Sequence, residues 1–254
     1  MAEYDPRYQA AVRTGAGARV EGIDQGLRAF MLGIYNNMAM GLALTGLVAY
    51  GAYYLAVATT AGTRIGLTPF GNAIYNSPLR WVIMLAPLAF VFGLSATVNR
   101  LQPGTARLIF LAFAAVMGLS MSSIFLVFTH QSIAQTFFVS AASFGAMSLW
   151  GYTTKRDISA WGSFLFMGLI GLILAMIVNI FLGSAALQFA ISAIGVLIFA
   201  GLTAFDTQRL KNTYDIVAGD AVAAGRASII GALQLYLDFI NLFMFLLQFM
   251  GNRN

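Results

Sequence analysis

Long uncharged runs organise this chain. No Asp, Glu, Lys or Arg occurs from Ala29 to Thr63, from Leu108 to Thr154, or from Ile158 to Phe205. A hydrocarbon layer about 30 Å thick takes roughly 20 apolar residues per helix, so these runs hold one, two and two crossings. The predicted spans are about Phe30–Ala56, Trp81–Val98, Leu108–Phe128 and Ile133–Trp150, then two helices that turn near Gly183 and Ser184. The long central run divides near His130, and Pro87 predicts a kink in the second span. A loop carrying Arg64, Pro69, Gly71, Asn72 and Pro78 separates the first two spans. The last crossing is the run at 232–249, ALQLYLDFINLFMFLLQF. The fold class is therefore all-α: a polytopic membrane protein of seven transmembrane helices. Residues 1–28, with mixed charges, are expected to form a mobile cytosolic polar tail, and residues 29–254 one transmembrane domain. So long a mixed-charge lead is unlike a cleaved secretory signal.

Composition agrees with a lipid solvent. Hydrophobic residues make up 59% of the 254 and charged residues only 9%, where a soluble domain carries about a quarter. Of the fourteen Lys and Arg, all but Arg64, Arg80 and Arg253 fall on one side when the N-terminus is placed inside. That is the bias of cytosolic loops. The basic balance is thus a topology signal, and no aromatic-interleaved basic surface suggests nucleic acid. An odd number of crossings puts the C-terminus outside.

The seventh span carries one carboxylate, Asp238, with apolar residues on both sides. A charge at the bilayer centre costs about 3 kcal/mol on insertion scales and is kept mostly where a partner or water meets it. On a helical wheel Gln234, Asp238, Asn241 and Gln248 share a narrow arc, a polar seam along the whole helix. The sixth span ends in TAFDTQRLK, 203–211, and places Gln188, Ser192, Gly195, Thr203 and Asp206 on one face. Antiparallel neighbours joined by a cytosolic loop bring these seams together, so Asp206 is the expected partner of Asp238. Two features oppose this. Asp206 lies near enough to the interface to reach water or pair with Arg209 or Arg100, and Asp238 counts as one to two turns deeper unless its helix begins beyond the bilayer edge.

The signatures FDTQRLK at 205–211 and LYLDFINLF at 235–243, with seven spans and a cytosolic N-terminus, resemble the Bax inhibitor family in its bacterial form. The resemblance covers the chain from about Phe30 to the C-terminus. It implies a central seventh helix wrapped by helices one to three and four to six. It also implies a pH-sensitive calcium leak whose sensor is a hydrogen-bonded aspartate pair, here Asp206 and Asp238. In bacterial members of that family an arginine at the cytosolic end of the second span pairs with the sensor; Arg100 is the nearest candidate, with Asn99 and Arg107 close by.

The chemistry of such a pair follows from its two acids alone. Two carboxylates within hydrogen-bonding reach in a poorly hydrated site cannot both ionise cheaply, so they hold one proton between them. Loss of that proton leaves repelling charges, and gain of a second removes any tie to Arg100; either change could open a gate. Ionised, the same oxygens make a weak calcium site, with Gln234 and Asn241 in the seam as supporting ligands. Weak binding suits conduction. No resident cofactor is implied; calcium is the transported ion.

Enzymatic readings lack their residues. There is no cysteine, one histidine, no HExxH and no GxGD-type sequence at either aspartate, and no lysine follows Lys211 for a retinal Schiff base. No catalytic residue is expected. The alternative function is a non-conducting regulator that binds other membrane proteins, such as a quality-control protease or a cell-death or stress factor. Lacking an N-x-S/T sequon, a retention signal and cysteine, the sequence favours a bacterial inner membrane.

Overall fold

The computed structural model describes residues 6–60, 63–97 and 101–253; for 6–24, 60, 63–65 and 94–96 it describes the backbone alone. Nine α-helices occur among the described residues: α1 Pro6–Ala56, α2 Pro69–Gly71, α3 Leu79–Thr97, α4 Pro103–Met121, α5 Ile124–Val127, α6 His130–Thr153, α7 Ser159–Leu182, α8 Ala185–Val217 and α9 Ala221–Met250. Six helical spans are long and apolar enough to cross a membrane. A seventh is completed when Pro69–Asn76 and Leu79–Gly93 count as one span, bent by 63°. Helix dominates for a physical reason: in hydrocarbon each backbone N–H and C=O must find its partner within its own segment.

Three local features differ from the reading of the sequence. The first helix begins at Pro6, well before the span expected from Phe30; Ala and Arg, four of each between Pro6 and Arg28, favour helix there. The loop after the first span contains an antiparallel hairpin, β1 Val57–Thr60 with β2 Thr63–Leu67, followed by α2 and a π-helical turn at Asn72–Asn76. The bend of the second span falls at Ser77 and Pro78, before α3, and α3 runs on through Pro87. Proline disfavours the α conformation in the residue before it, and Ser77 is accordingly extended.

Turn chemistry sets the other boundaries. Gly183 ends α7 in the left-handed region at φ 58°, a conformation that favours glycine, and Ser184 Oγ accepts the Leu187 N–H at 3.3 Å to start α8. At the head of α9, Asp220 accepts the N–H groups of Val222 at 2.8 Å and Ala223 at 3.0 Å. The bond from Ala223, then that from Val222, holds the Asp220 carboxyl below its ordinary value. A depressed native value contributes stability above the unfolded value, about 3.9, that is lost as pH falls through the native one. Asp220→Ala is therefore expected to lower the melting temperature at neutral pH. Thermal scans at decreasing pH should show this deficit shrink to nothing.

The bundle closes around α9. Of the residues in its most apolar stretch 72% are buried, against 33% or fewer in the other five unbent spans. It packs on α8, α1, α6 and α4, while α3 leans on α4 and α7 on α8. The first three spans thus flank α9 on one side and the next three on the other. Small residues set the closest approaches: a Cβ on Gly118 would collide with the α1 backbone at Thr45, and one on Gly151 with the α8 backbone at Ala204. Tyr236 of α9 is wholly buried; its hydroxyl meets Thr45 Oγ1 at 2.6 Å, and Thr45 donates to the Ala114 carbonyl at 2.8 Å.

Two sets of contacts define the faces of the bundle. At one end the Thr129 N–H donates to the Asn252 carbonyl at 3.1 Å and the Asn252 N–H to Ser132 Oγ at 2.8 Å, which staples the end of α9 to the α5–α6 turn. At the other end α1 at Phe30 meets the end of α8, with the Phe30 and Tyr214 rings 5.5 Å apart. Arg107, Lys155, Arg156, Arg209, Lys211 and Arg226 belong to helix ends and turns on this second, basic face, and Arg28 lies on α1 two residues before Phe30.

Candidate aspartate site between α7, α8 and α9

Helices α8 and α9 bring Asp206 and Asp238 together. Their carboxyl groups lie within hydrogen-bonding reach of each other and line one cavity of about 710 Å³. The helix count alone opposes this meeting. Asp206 lies eleven residues before Val217 and Asp238 seventeen after Ala221, a difference of six residues, or about 9 Å of helix. The direction of the side chains closes much of that gap. Cα–Cβ bonds lean toward the N-terminus of their helix, so in an antiparallel pair Asp206 leans inward and Asp238 leans toward the basic face. Helix α9 also begins eleven residues before the apolar run at 232, well outside it.

The two acids sit in unlike surroundings. Asp238 is 5% exposed and Asp206 15%, beside the Arg209 guanidinium at 3.9 Å, itself 59% exposed. So open an i,i+3 contact is weak. Asp238 Oδ2 is buried and receives no N–H or O–H among the described residues. A buried anion without a donor is costly, and a proton shared with Asp206 is the remedy that this geometry offers.

Gln234 and Asn241 line the same cavity, as does Arg209. Asn241 donates Nδ2 to the Leu237 carbonyl of its own helix at 2.8 Å, which leaves its oxygen available to the cavity. Arg100 lies outside the described residues, so the cation seen beside the pair is Arg209. Along α7 the cavity runs from Gly162 to Met176, fourteen residues or about 21 Å. It reaches Phe245 of α9 at its far end. Beyond that ring the seam resumes: Gln188 Nε2 donates to Gln248 Oε1 at 2.8 Å, and Asn179 Nδ2 to Gln188 Oε1 at 3.1 Å. Phe245 stacks on Phe199 with centroids 5.7 Å apart, over Gly195, where a Cβ would lie 2.6 Å from the ring.

Reading the sequence did not single out Phe245 as a break in the seam or Tyr236 as its buried neighbour. Both look like core aromatics from periodicity alone, and only their partners distinguish them. His130, expected in an exposed outer turn, is exposed at the first position of α6. Its ring lies 5.4 Å from Tyr53 and 5.6 Å from Phe125. Among the described residues no three His, Cys, Asp or Glu side chains cluster as a metal site, so the carboxyl pair would have to share a cation with amide and carbonyl oxygens.

A bundle of this hydropathy, with its most buried helix carrying a carboxyl pair, is a polytopic integral membrane protein built around a polar seam. The family model described as "Inhibitor of apoptosis-promoting Bax1" matches residues 27–254. The chain belongs to that family of Bax inhibitor membrane proteins. It is 48% identical over 229 residues to the inner membrane protein YbhL of Escherichia coli K12, covering 90% of this chain and 93% of YbhL. An uncharacterized protein of Caulobacter vibrioides is 46% identical over 231 residues, 90% of each chain. One of Deinococcus radiodurans is 44% identical over 233 residues, 91% of this chain and 94% of that protein.

Proposed function

We propose that the protein is a calcium-permeable leak of the bacterial inner membrane, gated by a proton shared between Asp206 and Asp238. The N-terminus is then cytosolic and the C-terminus outside, because the basic residues collect on the face where the membrane-spanning part of α1, Gln25–Ala56, begins. The observation that carries the reading is the meeting of the two carboxyl groups in a cavity that follows α9 into the bundle. While one proton is shared the pair ties α8 to α9. Without it, two like charges in a site of low polarity repel strongly; with a second, neither acid attracts Arg209. Asn241 and Gln234 add oxygens beside the pair, and such a sparse set holds calcium weakly enough to release it. The reading needs no catalytic residue.

The test is calcium flux into proteoliposomes across pH, measured for the wild type, Asp206→Asn and Asp238→Asn. Protein-dependent flux that varies with pH in the wild type alone is the expected result. A non-conducting regulator that acts by binding other membrane proteins gives no protein-dependent flux in any of the three.

A further inference from the structure

A second cavity, of about 550 Å³, opens between the basic-face halves of α1 and α6 and is separate from the aspartate site. Its walls are apolar and aromatic apart from one cation and one hydroxyl contact. Arg28 stands at its basic end; Leu32 and Leu149, both exposed, flank its mouth. At its inner end the Tyr35 hydroxyl meets Ser148 Oγ at 2.6 Å, and Ser148 Oγ meets Thr207 Oγ1 at 3.0 Å, so the polar atoms there already have partners. From Arg28 to Tyr35 on α1 the groove spans seven residues, and from Tyr152 to Phe144 on α6 eight, about 10 to 12 Å of helix.

A second cation lies at the same end. Lys211 Nζ donates to the Tyr152 carbonyl at 3.0 Å and sits 5.4 Å from the centroid of the Tyr152 ring, which lines the groove. The nearest acid along α8, Asp215, is one turn away, and among the described residues neither Arg28 nor Lys211 has a carboxylate within 4 Å. An apolar slot at hydrocarbon depth, crowned by two cations at the interface, matches one class of ligand. We infer that the groove holds an anionic diacyl phospholipid of the leaflet on the basic face, with an acyl chain between α1 and α6 and the phosphate between Arg28 and Lys211. A zwitterionic lipid fits the slot equally but brings a compensating positive charge to the same two cations.

The glycine at the groove supplies a steric test. A Cβ on Gly145 meets no atom within 4 Å, so Gly145→Phe and the milder Gly145→Leu fill the space without displacing backbone. Native mass spectrometry of the full chain in detergent, with dioleoyl phosphatidylglycerol or dioleoyl phosphatidylcholine added at equal concentration, reads the retained lipid directly. The wild type is expected to retain phosphatidylglycerol in preference. Arg28→Gln should weaken that retention about fivefold, the effect of one interfacial cation on an anionic lipid. Both Gly145 variants, with wild-type melting temperatures in detergent, should lose it. Arg156→Gln, which removes a basic-face charge that does not line the groove, should leave it unchanged. Equal retention of the two lipids by the wild type overturns the assignment. So does an Arg156→Gln loss as large as that of Arg28→Gln, wild-type retention in a folded Gly145 variant, or a change of oligomeric state in place of lipid loss.

Discussion

Asp238→Asn is expected to abolish the pH dependence of calcium flux while the protein still folds. Asparagine has the shape of aspartate, and its amide donates to the Asp206 carboxylate the hydrogen that the pair otherwise shares. The variant is thus fixed in the tied state at every pH, with flux at the low plateau of the wild type. In the wild type one titrating proton changes the population of that state by up to about tenfold per pH unit. Asp206→Asn should flatten the profile as well, but with a lower melting temperature. It leaves the charge on Asp238, 5% exposed, whereas Asp238→Asn leaves it on Asp206, which lies beside Arg209. The double Asn variant should add no further loss of pH dependence, the result expected of two acids that act through one shared proton. Flux measured in proteoliposomes from pH 5 to 9 checks all three, with thermal unfolding as the control. A pH profile that survives in either single variant rules out the shared proton as the gate.

Phe245→Ala should raise the leak roughly tenfold, the change that follows when a barrier falls by about 1.4 kcal/mol. The cavity below the aspartates reaches this ring, and hydrogen-bonding side chains resume beyond it at Ser192, Gln188 and Gln248. A phenyl group between two polar stretches is a dry constriction, and dewetted constrictions of this kind gate channels. Truncation leaves space next to Gly195, through which water can join the cavity to the outer glutamines. The control is Phe243→Ala, which removes a buried ring facing α6 rather than the cavity. It should cost stability without a comparable gain in flux. Equal flux from the two variants places the barrier elsewhere.

Much of this fold was legible because lipid simplifies the code. Uncharged runs can only be crossings, and the breaks at His130 and at Gly183–Ser184 follow from the length that one crossing requires; both fall at helix boundaries. The central place of α9 was less open to such counting and was expected from the family resemblance; burial of 72% of its most apolar stretch shows it. The hairpin at 57–67 escaped because a short strand pair outside the apolar runs leaves little periodic signal. The bend near Pro78 was assigned to Pro87 because a proline within an apolar run reads as a kink; which proline bends the chain depends on whether the helix closes around it.

The candidate site divides in the same way. Asp206 and Asp238 stand out in sequence because a charge in an apolar run needs a reason, and the arc of Gln234, Asn241 and Gln248 follows from helical arithmetic. Neither reveals depth. Residue counting set the acids about 9 Å apart along the helices, and their meeting depended on the packing of α8 against α9 and on side chains that lean toward opposite ends of the bundle. The same packing chose Arg209 as the visible cation, set Phe245 across the seam and opened the lipid-facing groove between α1 and α6. Which residues are costly in hydrocarbon is a property of each side chain and can be read one at a time. Which of them meet, and what closes the space between them, is a property of helix pairs, and no single helix carries it.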